Sequence, residues 1–163
     1  GEIQVRGSSV FRGYENNPEA NADSFVDGWF RTGDAGYIDE DGYVFIKGRL
    51  KNVIVGANGK NIYPEEIESV INEFPLVLES LVYDRGDQLV AKVHFDFDLL
   101  DQEFEMDKKS EQEVREILDK LFAGLLQFVN ERVPTFSKLN KIIEQPEPFE
   151  KTPTQKIKRF LYI

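Results

Sequence analysis

The chain has 163 residues, 40% of them apolar and 31% charged, and carries a formal net charge of -10. This is the composition of a globular protein able to bury a core, with room for one ordinary domain or a small domain plus a piece of another. The acidic balance argues against general nucleic-acid binding, no apolar run approaches the roughly 18 residues of a membrane span, and the absence of cysteine excludes disulfides and thiol chemistry.

Residues 1–49 read as short strands and turns. Glu2-Ile-Gln-Val-Arg6 alternates polar and apolar side chains, as a half-buried strand does. This start is unlike a signal peptide, and without an initiator Met the chain is expected to be a piece of something longer. A cytoplasmic origin is the default. Trp29-Phe-Arg31 leads to Thr32-Gly-Asp34, which is expected at a strand end. Tyr37-Ile38 and Tyr43–Ile46 flank Asp39-Glu-Asp-Gly42, so an Asp-Gly hairpin is predicted. A second hairpin is predicted over 52–62, with Asn52–Val55 as one arm and Gly56–Gly59 as its turn.

Pro64 opens a predicted helix, a position where its missing N–H costs nothing. Glu65 and Glu66 fill its first turn, and Ile67, Val70, Ile71 and Phe74 follow at helical spacing. Leu76–Tyr83 and Gln88–Phe97 read as a strand pair around Asp84-Arg-Gly-Asp87. The lone histidine, His94, alternates within that run and lacks the partners of a zinc site or a Ser/His triad, so it reads as a structural or surface residue. Residues 96–119 carry ten acids against three bases and read as a solvated loop and an outer helix face. The strongest helix is 111–132, with Ser110 and Glu113 as a capping box and a continuous apolar stripe from Val114 to Val129. Pro134 is expected to end it. Lys141–Glu144 reads as a short strand, and Pro146 and Pro148 lead to the tail.

Three stretches carry chemistry. In Gly28-Trp-Phe-Arg-Thr-Gly-Asp34, a carboxylate after Thr-Gly can accept two hydrogen bonds from a vicinal diol, with Arg49 donating nearby. Alternatively Asp34 caps a turn and Arg49 makes a surface ion pair. The stretch from Gly48 to Glu68 joins a polar link, a glycine turn and a helix start. It reads either as a backbone that a bulky ligand can approach at Gly59 or as a plain hairpin before a helix. The tail Lys151-Thr-Pro-Thr-Gln-Lys156-Ile-Lys158-Arg159 has four bases and no acid. It either presents Lys156 to phosphate or carboxylate oxygens or is a disordered basic terminus.

In this order and spacing the three stretches resemble the carboxyl-terminal part of the acyl-adenylate-forming, AMP-binding enzymes. The residues carrying the likeness are Gly13-Tyr14, Pro18-Glu19, Gly28-Trp29-Phe30, Thr32-Gly33-Asp34, Gly42-Tyr43, Gly48-Arg49, Lys51, Gly59, Asn61-Ile62, Pro64, Glu66-Ile67-Glu68 and Lys156. Within the family, Asn58–Glu68 and the tail look most like long-chain fatty acyl-CoA synthetases. Gln155 departs from the pattern, since many members have glycine before the lysine.

The resemblance implies an α+β fold. A small C-terminal mobile domain, 51–163, would hold a β-hairpin and a mixed or antiparallel sheet of about three strands packed with two or three helices. Residues 1–50 would be an all-β remnant of the large N-terminal AMP-binding domain, which is the expected partner. The implied activity is acid–thiol ligation: carboxylate and ATP give acyl-AMP and pyrophosphate, and the acyl group then passes to CoA. By resemblance Asp34 and Arg49 bind ATP/AMP, Lys156 is catalytic, Lys51 is the hinge, and Gly59 and Lys60 belong to the CoA-tunnel loop. ATP, CoA and Mg2+ are implied for the full-length enzyme, with no metal ligand on this chain and no cofactor expected on it alone. Fatty acid is the implied acid and nucleic acid is no partner, while peripheral membrane association fits the full-length enzyme. This stretch alone is expected to be inactive. A ligase for another acid or a carrier-protein acceptor, or a non-catalytic interaction domain of the same fold, are the alternatives.

Overall fold

A computed structural model describes every residue except Asp87, so that part of the expected turn lies outside the described residues. The chain divides into two compact units, Gly1–Val53 and Ile54–Ile163.

The first unit is a four-stranded antiparallel sheet of β1 (Glu2–Val5), β2 (Phe25–Val26), β3 (Trp29–Ile38) and β4 (Val44–Arg49), with β3 paired to all the others. The sequence led to the expectation of an all-β segment, and the helix α1 (Pro18–Ser24) before β2 corrects it. Asn17 caps α1 by accepting from the Ala20 amide at 3.1 Å, and Pro18 occupies its first turn. Seven residues with no buried side chain leave no apolar period to read, which is why the helix escaped the sequence. A tight turn also joins β2 to β3. Val26 pairs with Trp29, and Asp27 and Gly28 between them both have positive φ, 50° and 78°, as a type I′ turn requires. The expected hairpin is present, with Ile38 opposite Val44 and the Asp39 carboxylate accepting from the Asp41 and Tyr43 amides.

Burial in this unit is thin. Ala35 is its one buried apolar side chain among the described residues, whereas Ile38 and Ile46 are 67% and 68% exposed and Tyr37 stacks on Phe45 in the open.

The second unit holds the core. β5 (Ile54–Val55) and β6 (Asn61–Ile62) form the second hairpin, shorter than expected because Leu50–Asn52 coil into a 3-10 turn. The helix α2 (Pro64–Asn72) then packs on a three-stranded sheet of β7 (Val77–Asp84), β8 (Leu89–Phe95) and β9 (Lys141–Glu144). β7 and β8 are antiparallel, β8 and β9 parallel. A parallel pair needs a crossover, and α3 (Phe97–Phe104) and α4 (Glu111–Asn130) supply it. The sheet is therefore mixed, and with three helices around it this is the α+β arrangement that the resemblance implied. Its centre is β8, buried on both faces. Ile67, Ile71, Val82, Phe95, Leu100, Leu125 and Val129 join the elements in one cluster. Each such side chain contributes about 1.5–3 kcal/mol by leaving water.

Two details differ from the sequence reading. Phe97 starts α3 instead of ending β8, and part of the acidic stretch is helical: Asp96 accepts from the Leu99 amide at 2.9 Å, and only Leu100 is buried. Phe97, Leu100 and Phe104 recur at helical spacing, but the run is only eight residues long and its three acids make it read as a loop. The long helix stops at Asn130, four residues before Pro134. There the Asn130 side chain donates to the Leu139 carbonyl and accepts from the Leu139 amide, and so fixes the chain reversal. His94 is structural, buried with Nδ1 2.9 Å from the Gln145 carbonyl and its ring against Phe97. Among the described residues no helix is long and apolar enough to cross a membrane.

The expected capping box on α4 is complete, with Ser110 and Glu113 bonded reciprocally. The bonds from Ser110 hold the Glu113 carboxyl below its ordinary value of 4.5. The folded state therefore binds this proton more weakly than the unfolded chain does. The stabilisation it contributes is full above pH 4.5 and disappears as pH falls through the lowered value. Amide exchange at Ser110 and Glu113, corrected for intrinsic rate, is expected to lose protection below that pH before the α4 centre does. Uniform loss along α4 would contradict the cap's role.

Candidate functional site

The first cluster is built on the β3–β4 pair. Asp34 and Arg49 face each other in register, with Arg49 Nη1 donating to Asp34 Oδ1 at 2.9 Å. Asp34 sits within β3, not at a strand end. The kink that a strand end would supply comes from Gly33, whose φ is 71°. A Cβ there would also lie 3.1 Å from Arg49 Nη2, so the guanidinium covers the glycine. Thr32 stiffens the bend by donating Oγ1 to the Ile3 carbonyl at 2.7 Å while accepting from the Asp34 amide at 3.1 Å. Glu2 holds the other edge, taking hydrogen bonds from the Gly33 amide and the Arg31 Nε. A shallow cleft of about 450 Å³ opens beside Thr32, Gly33 and Arg49. Asp34 is half-buried, with one carboxylate oxygen on Arg49 and the other bonded to no described residue. It can therefore accept from a diol as well as pair with Arg49, so the two sequence readings are compatible.

Lys51 lies exposed in the 3-10 turn Leu50–Asn52, two residues before the end of the first unit. Gly59 and Lys60 lie at the β5–β6 turn. The Gly59 amide donates to the Gly56 carbonyl at 2.8 Å and the Gly56 amide to the Lys60 carbonyl at 2.9 Å. At Gly59 φ is 75° and nothing lies near an added Cβ, so the turn geometry requires this glycine and crowding does not. The Lys60 ammonium sits 4.7 Å from the Phe136 ring centroid. Phe136 also lines a cavity of about 220 Å³ with Ile54, Asn58, Lys138 and Asn140.

The tail is ordered. Lys151 bridges to Ile157, and the Thr152 amide donates to the Lys156 carbonyl at 2.8 Å, closing a tight turn with Lys156 at the start of its returning arm. The Lys156 amide donates to Thr152 Oγ1 at 3.2 Å. Gln155 has φ 61°, the left-handed conformation that glycine adopts freely. Glutamine holds it at a cost of about 1–2 kcal/mol relative to glycine. The four bases of the tail are not equivalent. Lys151 pairs with Glu79, Lys158 with Glu150 at 3.2 Å and Arg159 with Glu68 at 2.7 Å. No described residue pairs with the Lys156 ammonium, which is exposed.

The sequence reading missed the acidic partners. Glu68 and Arg159 are 91 residues apart, and no local pattern joins them. Burial pushes the Glu68 carboxyl up from 4.5, while Arg159 and the Val82 amide, which donates to it at 2.6 Å, pull it back.

No family model matches the chain. It is 38% identical, over 98% of its length, to 2-succinylbenzoate–CoA ligase of Listeria monocytogenes, of which it covers 30%. It is 48% identical over half its length to a long-chain-fatty-acid–CoA ligase of Mycobacterium tuberculosis, of which it covers 14%. Among solved structures it is similar to the O-succinylbenzoate coenzyme A synthetase of Bacillus subtilis in complex with ATP and magnesium ion. That likeness has a TM-score of 0.75 and 28% identity over 98% of this chain and 30% of that one. The chain thus spans under a third of the length of these relatives.

Proposed function

We propose that this chain, whose homologues are acyl- and aryl-CoA ligases of the AMP-binding family, is the carboxyl-terminal part of an ATP-dependent acyl-CoA synthetase. The observation that carries the reading is the tail. Three of its bases are bound to glutamates, and Lys156 alone among them is left for a ligand.

In the proposed reaction a substrate carboxylate attacks the α-phosphorus of ATP. The bond to the bridging oxygen breaks and pyrophosphate leaves. A thiol then attacks the acyl carbon of the adenylate, loses its proton and expels AMP. Asp34 accepts from the ribose hydroxyls through the oxygen that Arg49 leaves open, and Arg49 fixes the carboxylate's direction. Lys156 bridges carboxylate and phosphate oxygens, where charge accumulates during the first step. Lys51 is the hinge about which the small domain, 51–163, turns between the two half-reactions. The turn at Gly59 and Lys60 then lines the path of the acceptor thiol. Residues 1–50 are the trailing piece of the large AMP-binding domain, a reading supported by their thin core and exposed apolar strands. Among the described residues no group of three His, Asp or Glu is placed to hold a metal ion. No step here is routed through Mg2+. The whole protein is proposed as cytoplasmic, with peripheral membrane association where its acid is a lipid.

Long-chain fatty acid is the proposed acid, supported by the likeness of 58–68 and the tail and by the 48% identity to a long-chain ligase. The second reading, an aromatic or short acid, is favoured by the succinylbenzoate ligase, whose similarity spans nearly the whole chain. Pyrophosphate release by the whole protein, measured across acids of increasing length and 2-succinylbenzoate, separates them. Turnover rising toward long chains is expected. A preference for succinylbenzoate or acetate would overturn the long-chain reading while keeping the ligase.

A further inference from the structure

The loop that carries Lys156 is tied down at both ends by carboxylates from one small area of the second unit. At its far end Arg159 donates Nη1 to Glu68 Oε1 at 2.7 Å and Nη2 to the Val82 carbonyl. The same Glu68 oxygen accepts from the Val82 amide at 2.6 Å. One guanidinium thus grips the middle of α2 and the second half of β7 together. The pair is 19% and 13% exposed, which makes it more protected than the other ion pairs of the tail. At the near end Lys151 pairs with Glu79 of β7, whose second oxygen accepts from the Phe149 amide. Between these anchors the loop crosses itself: Lys151 bridges to Ile157, and the Lys158 amide donates to the Glu150 carbonyl at 2.8 Å.

We propose that Arg159 and Glu68 are positioning residues for Lys156. Their half-buried pair, assisted by Lys151 and Glu79, holds the ends of the loop so that the Lys156 ammonium is delivered from a rigid base. A long lysine on an untethered tail would sample many directions and spend little time where charge develops. A lysine on a loop fixed on both sides has its stem direction set before substrate arrives, which is how positioned groups gain rate. Arginine suits the task because its planar fork spans a carboxylate and a carbonyl at once, and lysine cannot do so. The three paired bases of the tail then have a mechanical duty and only Lys156 a chemical one. The effect on catalysis rests on the adenylation role given to Lys156; the anchoring does not.

The test uses the whole protein with Arg159→Met, Arg159→Lys and the double variant Glu68→Gln/Arg159→Met. The double variant removes both charges, keeps an acceptor for the Val82 amide and so protects against simple misfolding. Two quantities are read: the rate of tryptic cleavage after Lys156 under native conditions, and the two half-reactions separately. Cleavage after Lys156 is expected to rise severalfold in both Met variants and less in Arg159→Lys. Adenylation kcat is expected to fall on the order of tenfold or more, with ATP KM little changed. Thioester formation from supplied acyl-adenylate is expected to stay at the unsubstituted rate, which a general loss of structure would not allow. Unchanged cleavage after Lys156 would overturn the anchoring whatever the activities show. A loosened loop with normal adenylation, while Lys156→Ala lowers it, would overturn the positioning role. Should Lys156→Ala itself leave adenylation intact, the proposed function falls, and the cleavage rates still decide the anchoring.

Discussion

In the whole protein, Lys156→Ala is expected to lower adenylation by about 10²–10³-fold, the loss seen when one preorganised donor to a developing negative charge is removed. Thioester formation from supplied acyl-adenylate is expected to continue, because the thiol attacks a carbonyl whose leaving group is already in place. The variant is a clean one. The Lys156 ammonium has no partner among the described residues, and the loop's hydrogen bonds at this position use its backbone. Stability should therefore stay within about 0.5 kcal/mol of the unsubstituted protein, as for other exposed positions. Pyrophosphate release and thioester formation measured on the same preparation check both halves. Equal loss of the two, or loss of neither, would contradict the role.

The largest structural effect is expected from Gly36→Ala, two residues beyond Asp34. A Cβ at Gly36 would lie 2.3 Å from the Phe45 carbonyl oxygen and 2.7 Å from Ile3 Cδ1. The first is backbone and cannot swing aside, so β4 must move away from β3. Asp34 and Arg49 pair across those same strands, next to the bulge between Ala35 and Gly36. Overpacking of this kind costs about 1–3 kcal/mol. ATP binding should weaken in step, because the carboxylate loses the guanidinium that aims it. Gly124→Ala is the comparison: it lies in α4 with nothing within 4 Å of an added Cβ. It should stabilise by about 0.4–1 kcal/mol and leave ATP binding alone. Melting curves and ATP titration of the whole protein read both. Normal ATP affinity in a folded Gly36→Ala protein would contradict the link between the strand pair and the nucleotide site.

The parts of the fold legible in the sequence are those whose signal is local and periodic. The apolar stripe of α4 with its Ser110–Glu113 box, the Pro64 start of α2, and the Asp-Gly turn before Tyr43 each declare themselves within a few residues. The short helix α1 buries no side chain, so periodicity had nothing to report, and the period of α3 is eight residues long inside an acidic stretch that reads as a loop. The parallel pairing of β9 with β8 is set by the packing of α3 and α4, and four residues of strand cannot announce a neighbour's direction. The candidate site divides in the same way. Asp34, Arg49 and Lys156 stand in recognisable stretches. What distinguishes Lys156 from the other three bases is the position of Glu68, Glu79 and Glu150, two of them on distant elements. Charge counting finds four equivalent cations there, and only the folded chain shows that three are occupied.

The most direct test of the whole reading is ATP–pyrophosphate exchange by the unsubstituted whole protein, with and without a long-chain fatty acid. The expected result is exchange that depends on the acid and precedes any transfer to CoA, since the adenylate forms reversibly first. No exchange with any carboxylic acid, in a protein that is folded and supplied with ATP and Mg2+, would contradict the assignment of this chain to an acyl-CoA synthetase.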